Sequence, residues 1–141
     1  MAHVVRIAHL AVVTDDLDQA LAFWRDALGL TVGGVHDVEQ EGVRVAFLPL
    51  GESSVEVVLP LREDTGVARY LRKRGPGMHH VCLEVQDLEG LLSRLKAQGV
   101  QLIHEEPQVS PTGRRYAFVH PKSAGGVLVE LYEASTEGGS V

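Results

Sequence analysis

Apolar residues occur along the chain in short runs that end at acidic residues or glycines. The first run, residues 7–13, has the length of a strand, and Asp16 follows it at a position typical of a helix N-cap. From Leu17 to Leu28, apolar residues recur three or four positions apart until Gly29, a residue type that commonly follows the last turn of a helix. This pattern predicts a strand followed by a helix.

The second half of the chain repeats the pattern of the first. Three matched pairs appear when the halves are aligned: His9 with His80, Asp16 with Asp87, and Leu21 with Leu92. Two apolar strands, residues 55–59 and 129–133, also correspond, with Glu56 matched to Glu130. Each half therefore predicts the order strand, helix, strand, strand, strand, which is a βαβββ module.

The repeat predicts one α+β domain over residues 1–134. Its two βαβββ modules cover about residues 5–61 and 77–133, and a short helix at 65–74 connects them. Residues 135–141 have no apolar side chains to bury before the final valine, so we expect them to form a loose tail.

Composition and charge narrow the class of protein. Hydrophobic residues make up 45% of the chain and charged residues 23%, as in soluble globular domains. The net charge of −6 leaves no basic surplus for phosphates, so we expect no nucleic-acid partner. No apolar run approaches the roughly 20 residues of a membrane span, and the start of the chain lacks a secretion signal. With Cys82 as the only cysteine, a cytoplasmic protein without disulfides is predicted.

Four polar residues interrupt strands that are otherwise apolar: His9, Glu56, His80 and Glu130. A single strand glutamate most often faces solvent, and a lone histidine is most often structural. Here the matched positions favour another interpretation, because two buried, unpaired carboxylates would cost several kcal/mol each. A shared divalent cation removes that cost, since it binds imidazole nitrogen and carboxylate oxygen together. We therefore predict that all four residues are metal ligands.

The donor set indicates a catalytic centre, because structural zinc sites are usually rich in thiolates. A set of two histidines and two glutamates can bind Co, Mn, Ni, Fe or Zn. Adjacent strand residues face opposite sides, so only one of His79 and His80 can join His9, and the repeat favours His80. We interpret Cys82 as a small core residue. Histidines in terminal or loop-like stretches receive no role: His3, His36 and His104.

Several segments resemble the methylmalonyl-CoA epimerase family of the vicinal oxygen chelate superfamily. The resemblance covers about residues 5–133, and its most specific segment is VHPKSAGGVLVEL at 119–131. Further support comes from IAHLAV (7–12), QEGVRVAFLPLG (40–51), VEVVLPL (55–61), GMHHVCLEV (77–85) and LIHEEP (102–107). The chain departs from the family at Val45, where some epimerases carry a glutamate, and in the loop 110–113.

The resemblance implies an open, barrel-like mixed sheet around a metal site, with the four residues selected by the repeat as ligands. It implies interconversion of (R)- and (S)-methylmalonyl-CoA by metal-assisted removal of the α-proton. Glu56 and Glu130 become the catalytic candidates, and Lys122 a candidate contact for CoA or the substrate. Co²⁺ is the expected ion, with Mn²⁺, Ni²⁺ and Zn²⁺ as alternatives, and a homodimer is the expected assembly.

Other functions fit the same scaffold, because fold alone does not define activity. A glyoxalase-type isomerase uses two histidines and two glutamates, and an extradiol dioxygenase uses two histidines and one glutamate around Fe(II). A protein that binds a small molecule without turnover is an alternative of another class, although such a protein has no need of a complete ligand set. A metal-free domain with buried structural histidines is the remaining alternative.

Overall fold

The computed structural model describes residues 1–134, so the predicted tail at 135–141 lies outside the described residues. Within that range the strands are β1 (His3–Val13), β2 (Gly34–Val38), β3 (Val43–Leu50), β4 (Ser53–Pro60), β5 (Gly77–Gln86), β6 (Gln108–Val109), β7 (Arg115–Val119) and β8 (Val129–Glu133). The α-helices are α1 (Leu17–Leu21), α2 (Gly66–Arg74) and α3 (Leu88–Ala97). This order confirms the predicted α+β class, with two βαβββ series separated by α2.

Residues 9–79 form one compact unit, whose strands lie in the order β2–β3–β4–β1. Strand β1 pairs in parallel with β4, while β2, β3 and β4 pair antiparallel. One face of this sheet packs against α1 through a buried apolar cluster of Leu21, Ala46, Leu48, Val55 and Val57. The alternation of side chains along the strands therefore leaves His9 and Glu56 on the other face.

The opposite face of the same sheet is partly covered by α2. Ala11, Val13, Val43 and Val58 form its buried cluster, and apolar side chains of α2 pack against them. Helix α2 begins after Thr65, whose Oγ1 accepts a hydrogen bond from the backbone N–H of Ala68 at 3.0 Å. The predicted connecting helix is thus confirmed, and its N-cap is a side chain that stabilises helix starts.

The helix after β1 differs from the prediction at its C-terminal end. It is α-helical only to Leu21 and continues as a π-helical segment, Ala22–Ala27, with Leu28 donating to the carbonyl of Phe23 at 2.9 Å. The wider π turn rotates the following residues away from the 3.6-residue period. Leu28, which the periodicity placed on the apolar face, is consequently 55% exposed, and that expectation was wrong.

Residues 1–8 and 80–134 form the second compact unit, with strand order β5–β8–β7–β6. Strands β5 and β8 are parallel, as β1 and β4 are in the other unit. Helix α3 covers one face through a cluster of Val85, Leu88, Leu91, Leu92, Ala117, Val119 and Leu131. The first residues of β1 join this unit through a bidentate ion pair between Arg6 and Glu84.

Among residues 1–134, none of the helices is both long enough and apolar enough to cross a bilayer.

Candidate metal centre

His9 and Glu56 form the first histidine–carboxylate pair. His9 Nδ1 lies 3.3 Å from Glu56 Oε2, and the two side chains are 13% and 26% exposed. The parallel register of β1 and β4 explains this approach, because Glu56 is opposite Ala11 and His9 is two residues before Ala11 on the same face. The pair therefore joins neighbouring strands diagonally across the face that α1 does not cover.

His80 and Glu130 form the second pair with the same strand relationship. His80 Nε2 lies 3.1 Å from Glu130 Oε1, and both side chains are 12% exposed. In the parallel pairing of β5 with β8, Glu130 is opposite Cys82, two residues after His80. The face that carries this pair is the one that α3 leaves uncovered, because Val81 and Leu83 alternate with His80 and Cys82.

Each pair presents one imidazole nitrogen and one carboxylate oxygen within hydrogen-bonding distance in a half-buried setting. These are the two kinds of donor that Co²⁺, Mn²⁺, Ni²⁺ and Zn²⁺ share. Each pair would supply one nitrogen and one oxygen ligand to such a cation, so the residues fit the predicted chemistry.

The structure separates the two neighbouring histidines of β5. While His80 contacts Glu130, the His79 ring packs edge-on against Tyr70 of α2, with ring centroids 4.9 Å apart. Tyr70 also donates a short hydrogen bond to the carbonyl of Met78. His79 therefore has a packing partner of its own within residues 9–79.

The other residues singled out from the sequence have simpler surroundings. Cys82 is completely buried. Val45 is half-buried beside the apolar cluster under α2, on the same face as Glu56. Lys122 lies exposed in a short 3₁₀ turn, Pro121–Ser123, and its backbone N–H donates to His120 Nδ1 at 3.0 Å. Its ammonium group is thus open to solvent.

His104, to which the sequence pattern assigned no role, lies near the second pair. Its Nδ1 accepts a hydrogen bond from the backbone N–H of Phe118 at 3.1 Å. Phe118 is opposite Glu130 in the pairing of β7 with β8, and its ring packs edge-on against His80 at 5.3 Å. No local pattern marks His104, because the contact arises from the path of the irregular segment before β6.

A cationic side chain borders the same face near the end of β8. The Arg114 guanidinium lies 4.6 Å from the ring centroid of Tyr132, a distance typical of a cation–π contact. Its Nε also donates to the carbonyl of Glu133 at 2.9 Å. The neighbouring Arg115 instead bridges Glu89 and Glu133, at 2.5 and 3.3 Å, which ties β7 and β8 to helix α3.

The comparison against known families identifies the superfamily to which this fold belongs. Residues 8–118 match the Glyoxalase/Bleomycin resistance protein/Dioxygenase superfamily. This match covers well over half of the chain, which makes the chain a member of that superfamily.

Within the superfamily, several similar proteins are methylmalonyl-CoA epimerases. The mitochondrial methylmalonyl-CoA epimerase of Mus musculus is 38% identical over 92% of this chain and 73% of its own length. The ethylmalonyl-CoA/methylmalonyl-CoA epimerase of Cereibacter sphaeroides is also 38% identical, over 89% of this chain and 96% of its own. The chain therefore belongs to the methylmalonyl-CoA epimerase family, as its sequence motifs predicted, and these relatives are enzymes.

Solved structures of this family have the same fold. A variant of the Streptomyces coelicolor methylmalonyl-CoA epimerase in complex with 2-nitronate-propionyl-CoA superimposes with a TM-score of 0.85 at 32% identity. The alignment covers 95% of this chain and 97% of the other. The predicted fold class is thereby confirmed.

We expect the pKa of His104 to lie below its ordinary value of 6.5, because burial disfavours the charged ring more than the negative charge of Glu130 favours it. An NMR titration of the ring protons measures this pKa. The unfolded state then binds more protons than the folded state below pH 6.5. Above pH 6.5 the neutral His104 ring therefore makes its full contribution to the free energy of unfolding. That contribution is lost as the pH falls through the folded-state pKa. A pKa of 6.5 or higher would contradict the prediction.

Proposed function

We propose that this chain is an epimerase that interconverts (R)- and (S)-methylmalonyl-CoA. In this proposal His9, Glu56, His80 and Glu130 together bind one divalent metal ion. The observation that carries it is the duplicated histidine–carboxylate pair, with nitrogen–oxygen distances of 3.3 and 3.1 Å. Membership of the methylmalonyl-CoA epimerase family supports the substrate.

Co²⁺ is the ion that we propose, and Mn²⁺, Ni²⁺ and Zn²⁺ accept the same donors. Two neutral imidazoles and two carboxylates neutralise a divalent charge without any thiolate. When bound, such an ion supplies a Lewis acid for the negative charge that develops on the substrate oxygens. A mixed nitrogen and oxygen set also leaves coordination positions for substrate, as catalytic centres require.

The reaction requires a proton acceptor on one face of the substrate carbon and a proton donor on the other. We propose the carboxylates of Glu130 and Glu56 for these two roles. One glutamate, as the carboxylate, takes the α-proton and leaves the C–H bonding electrons in the thioester as an enolate. The other glutamate, in its carboxylic acid form at that stage, gives its proton to the opposite face of the carbon. Glu130 is the more buried of the two, so water competes less for its oxygens.

Recognition of the CoA portion requires positive charge at some distance from the reacting carbon. We propose that Lys122 contacts CoA or the substrate carboxylate, since its ammonium is exposed on the turn that precedes β8. A compact point charge of this kind commonly binds phosphate.

We also propose a cytoplasmic homodimer. About half of the surface of Val4, Val5 and Ile7 at the start of β1 is exposed, and exposed apolar groups of this kind favour association. The mass of the protein in light scattering tests the dimer, and the mass of a single chain would contradict it.

Enzyme-dependent exchange of the α-proton of methylmalonyl-CoA in D₂O tests both the substrate and the metal. Purified protein supplemented with Co²⁺ should exchange the proton well above the rate in buffer. Chelation should lower that rate by about 100-fold or more, because stabilisation of the developing charge is lost, and Co²⁺ should restore it. Full activity after metal removal would overturn the metal proposal. Failure of the Co²⁺-loaded protein to exchange would overturn the epimerase proposal, and turnover of a hemithioacetal instead would indicate a glyoxalase-type isomerase.

Substitution of each carboxylate by its amide tests whether Glu130 and Glu56 act on opposite faces of the substrate carbon. Glu130→Gln and Glu56→Gln should each lower epimerisation by about 10²- to 10⁴-fold, since general acid–base catalysis contributes that much. Each should block α-proton exchange from one epimer while exchange from the other continues.

The matched control is Glu84→Gln, which alters a half-buried strand glutamate in an ion pair of the same unit. It should retain epimerisation. If metal analysis shows full occupancy and Glu130→Gln still exchanges both epimers at the wild-type rate, Glu130 is not a base.

Lys122→Ala should raise KM for methylmalonyl-CoA about 3- to 10-fold and leave kcat nearly unchanged, because a binding contact distant from the reacting carbon is lost. Steady-state kinetics measure both constants. Lys73→Ala removes an exposed lysine from α2 and serves as the control for charge alone. If Lys122→Ala leaves KM unchanged, Lys122 does not contact the substrate and is a solvated surface residue.

A further inference from the structure

The protonation state of His104 follows from its hydrogen bond. The donor in this bond is the backbone N–H of Phe118, so Nδ1 of His104 must be the acceptor. The ring is therefore neutral, with its proton on Nε2. This defined tautomer distinguishes His104 from an exposed histidine whose ring rotates freely.

Both backbone polar groups of Phe118 are bound by the segment that contains His104. The Phe118 carbonyl accepts from the N–H of Ile103 at 2.9 Å and from that of His104 at 3.3 Å. Strand β6 does not reach this point, because its two residues pair only with Tyr116 and Arg115. The segment therefore takes the place of a neighbouring strand at the edge of β7.

The orientation of these groups brings the Phe118 side chain close to the second pair. Since its N–H and carbonyl point away from β8, Phe118 forms a non-hydrogen-bonded pair with Glu130. Side chains of such pairs approach more closely than those of hydrogen-bonded pairs. The Phe118 ring also lies 5.3 Å from the His80 ring in an edge-on arrangement. A single residue of β7 thus borders both members of the His80–Glu130 pair.

We propose that His104 is a positioning residue for the His80–Glu130 pair, acting through Phe118. By binding the backbone of Phe118, it fixes the ring that restrains His80 and the strand position opposite Glu130. The effect of this positioning role on catalysis rests on the proposed epimerase function. Its effect on the geometry of His80 is independent of that function. Groups that orient metal ligands in this way typically change metal affinity or activity 10- to 100-fold when they are removed.

Two substitutions separate the hydrogen bond from the bulk of the side chain. His104→Asn retains an acceptor, because the amide oxygen occupies nearly the position of Nδ1, whereas His104→Leu keeps a similar volume without one. The leucine variant should lower kcat about 10-fold or more and weaken Co²⁺ binding, with KM within about twofold of wild type. The asparagine variant should remain within about threefold of wild type in all three measurements.

A third variant controls for loss of stability alone. Thr65→Ala removes the N-cap of α2, in the other compact unit, and should lower the melting temperature without lowering kcat. If it lowers kcat as far as His104→Leu does, the effect of the leucine is one of general stability, and the positioning role is overturned.

NMR of the His80 ring nitrogens in metal-free protein provides a test that is independent of activity. His104→Leu should shift these resonances, and His104→Asn should leave them near their wild-type positions. Unchanged resonances in the leucine variant, or equal shifts in both variants, would overturn the proposal. If the wild-type protein has no epimerase activity, the proposed function fails, and the NMR comparison alone still decides whether His104 positions His80.

Discussion

Parallel pairing of the first strand with the last strand in each βαβββ series is the constraint on which the candidate centre depends. In both pairings, the histidine lies two residues before the position opposite the glutamate. A shift of one residue in either register would turn the glutamate toward the face that packs against a helix. The carboxylate would then face Leu21, Ala46 and Leu48, or the corresponding Leu92, Ala117 and Val119, while the apolar side chains of its own strand left the core. The apolar cores therefore maintain the register that brings the polar pairs together.

The helices reinforce this division between the two faces of each sheet. Helix α3 buries Leu88 and Leu92 against one face, which removes that face from solvent and leaves the other for polar residues. Its own start is fixed by the strand that carries Glu130, because the backbone N–H of Leu88 donates to Glu133 at 2.9 Å. Core packing and the position of β8 are thus linked through one hydrogen bond.

Features that depend on local sequence were predictable, and features that depend on the path of a loop were not. The helix N-caps at Asp16 and Asp87 were predictable because their side chains bond to nearby backbone N–H groups. The partners of His9 and His80 were predictable because the internal repeat aligned two separated strands. The π-helical segment before Leu28 escaped detection because it contains the same helix-forming residues as an α-helix would. His104 escaped because only the bridge between Leu102 and Val119 carries it to Phe118.

The short length of β6 also has a consequence for how the protein behaves at high concentration. An exposed strand edge with free N–H and carbonyl groups is a template for pairing with another chain. At Phe118, the irregular segment 102–104 occupies those groups without itself presenting a new extended edge. The same contact that restrains the interior of the sheet therefore blocks edge-to-edge aggregation at this part of β7. If segment 102–104 no longer bound the Phe118 backbone, the first effect would be lower solubility during folding. At that stage the edge of β7 is open and the apolar strands are incompletely packed.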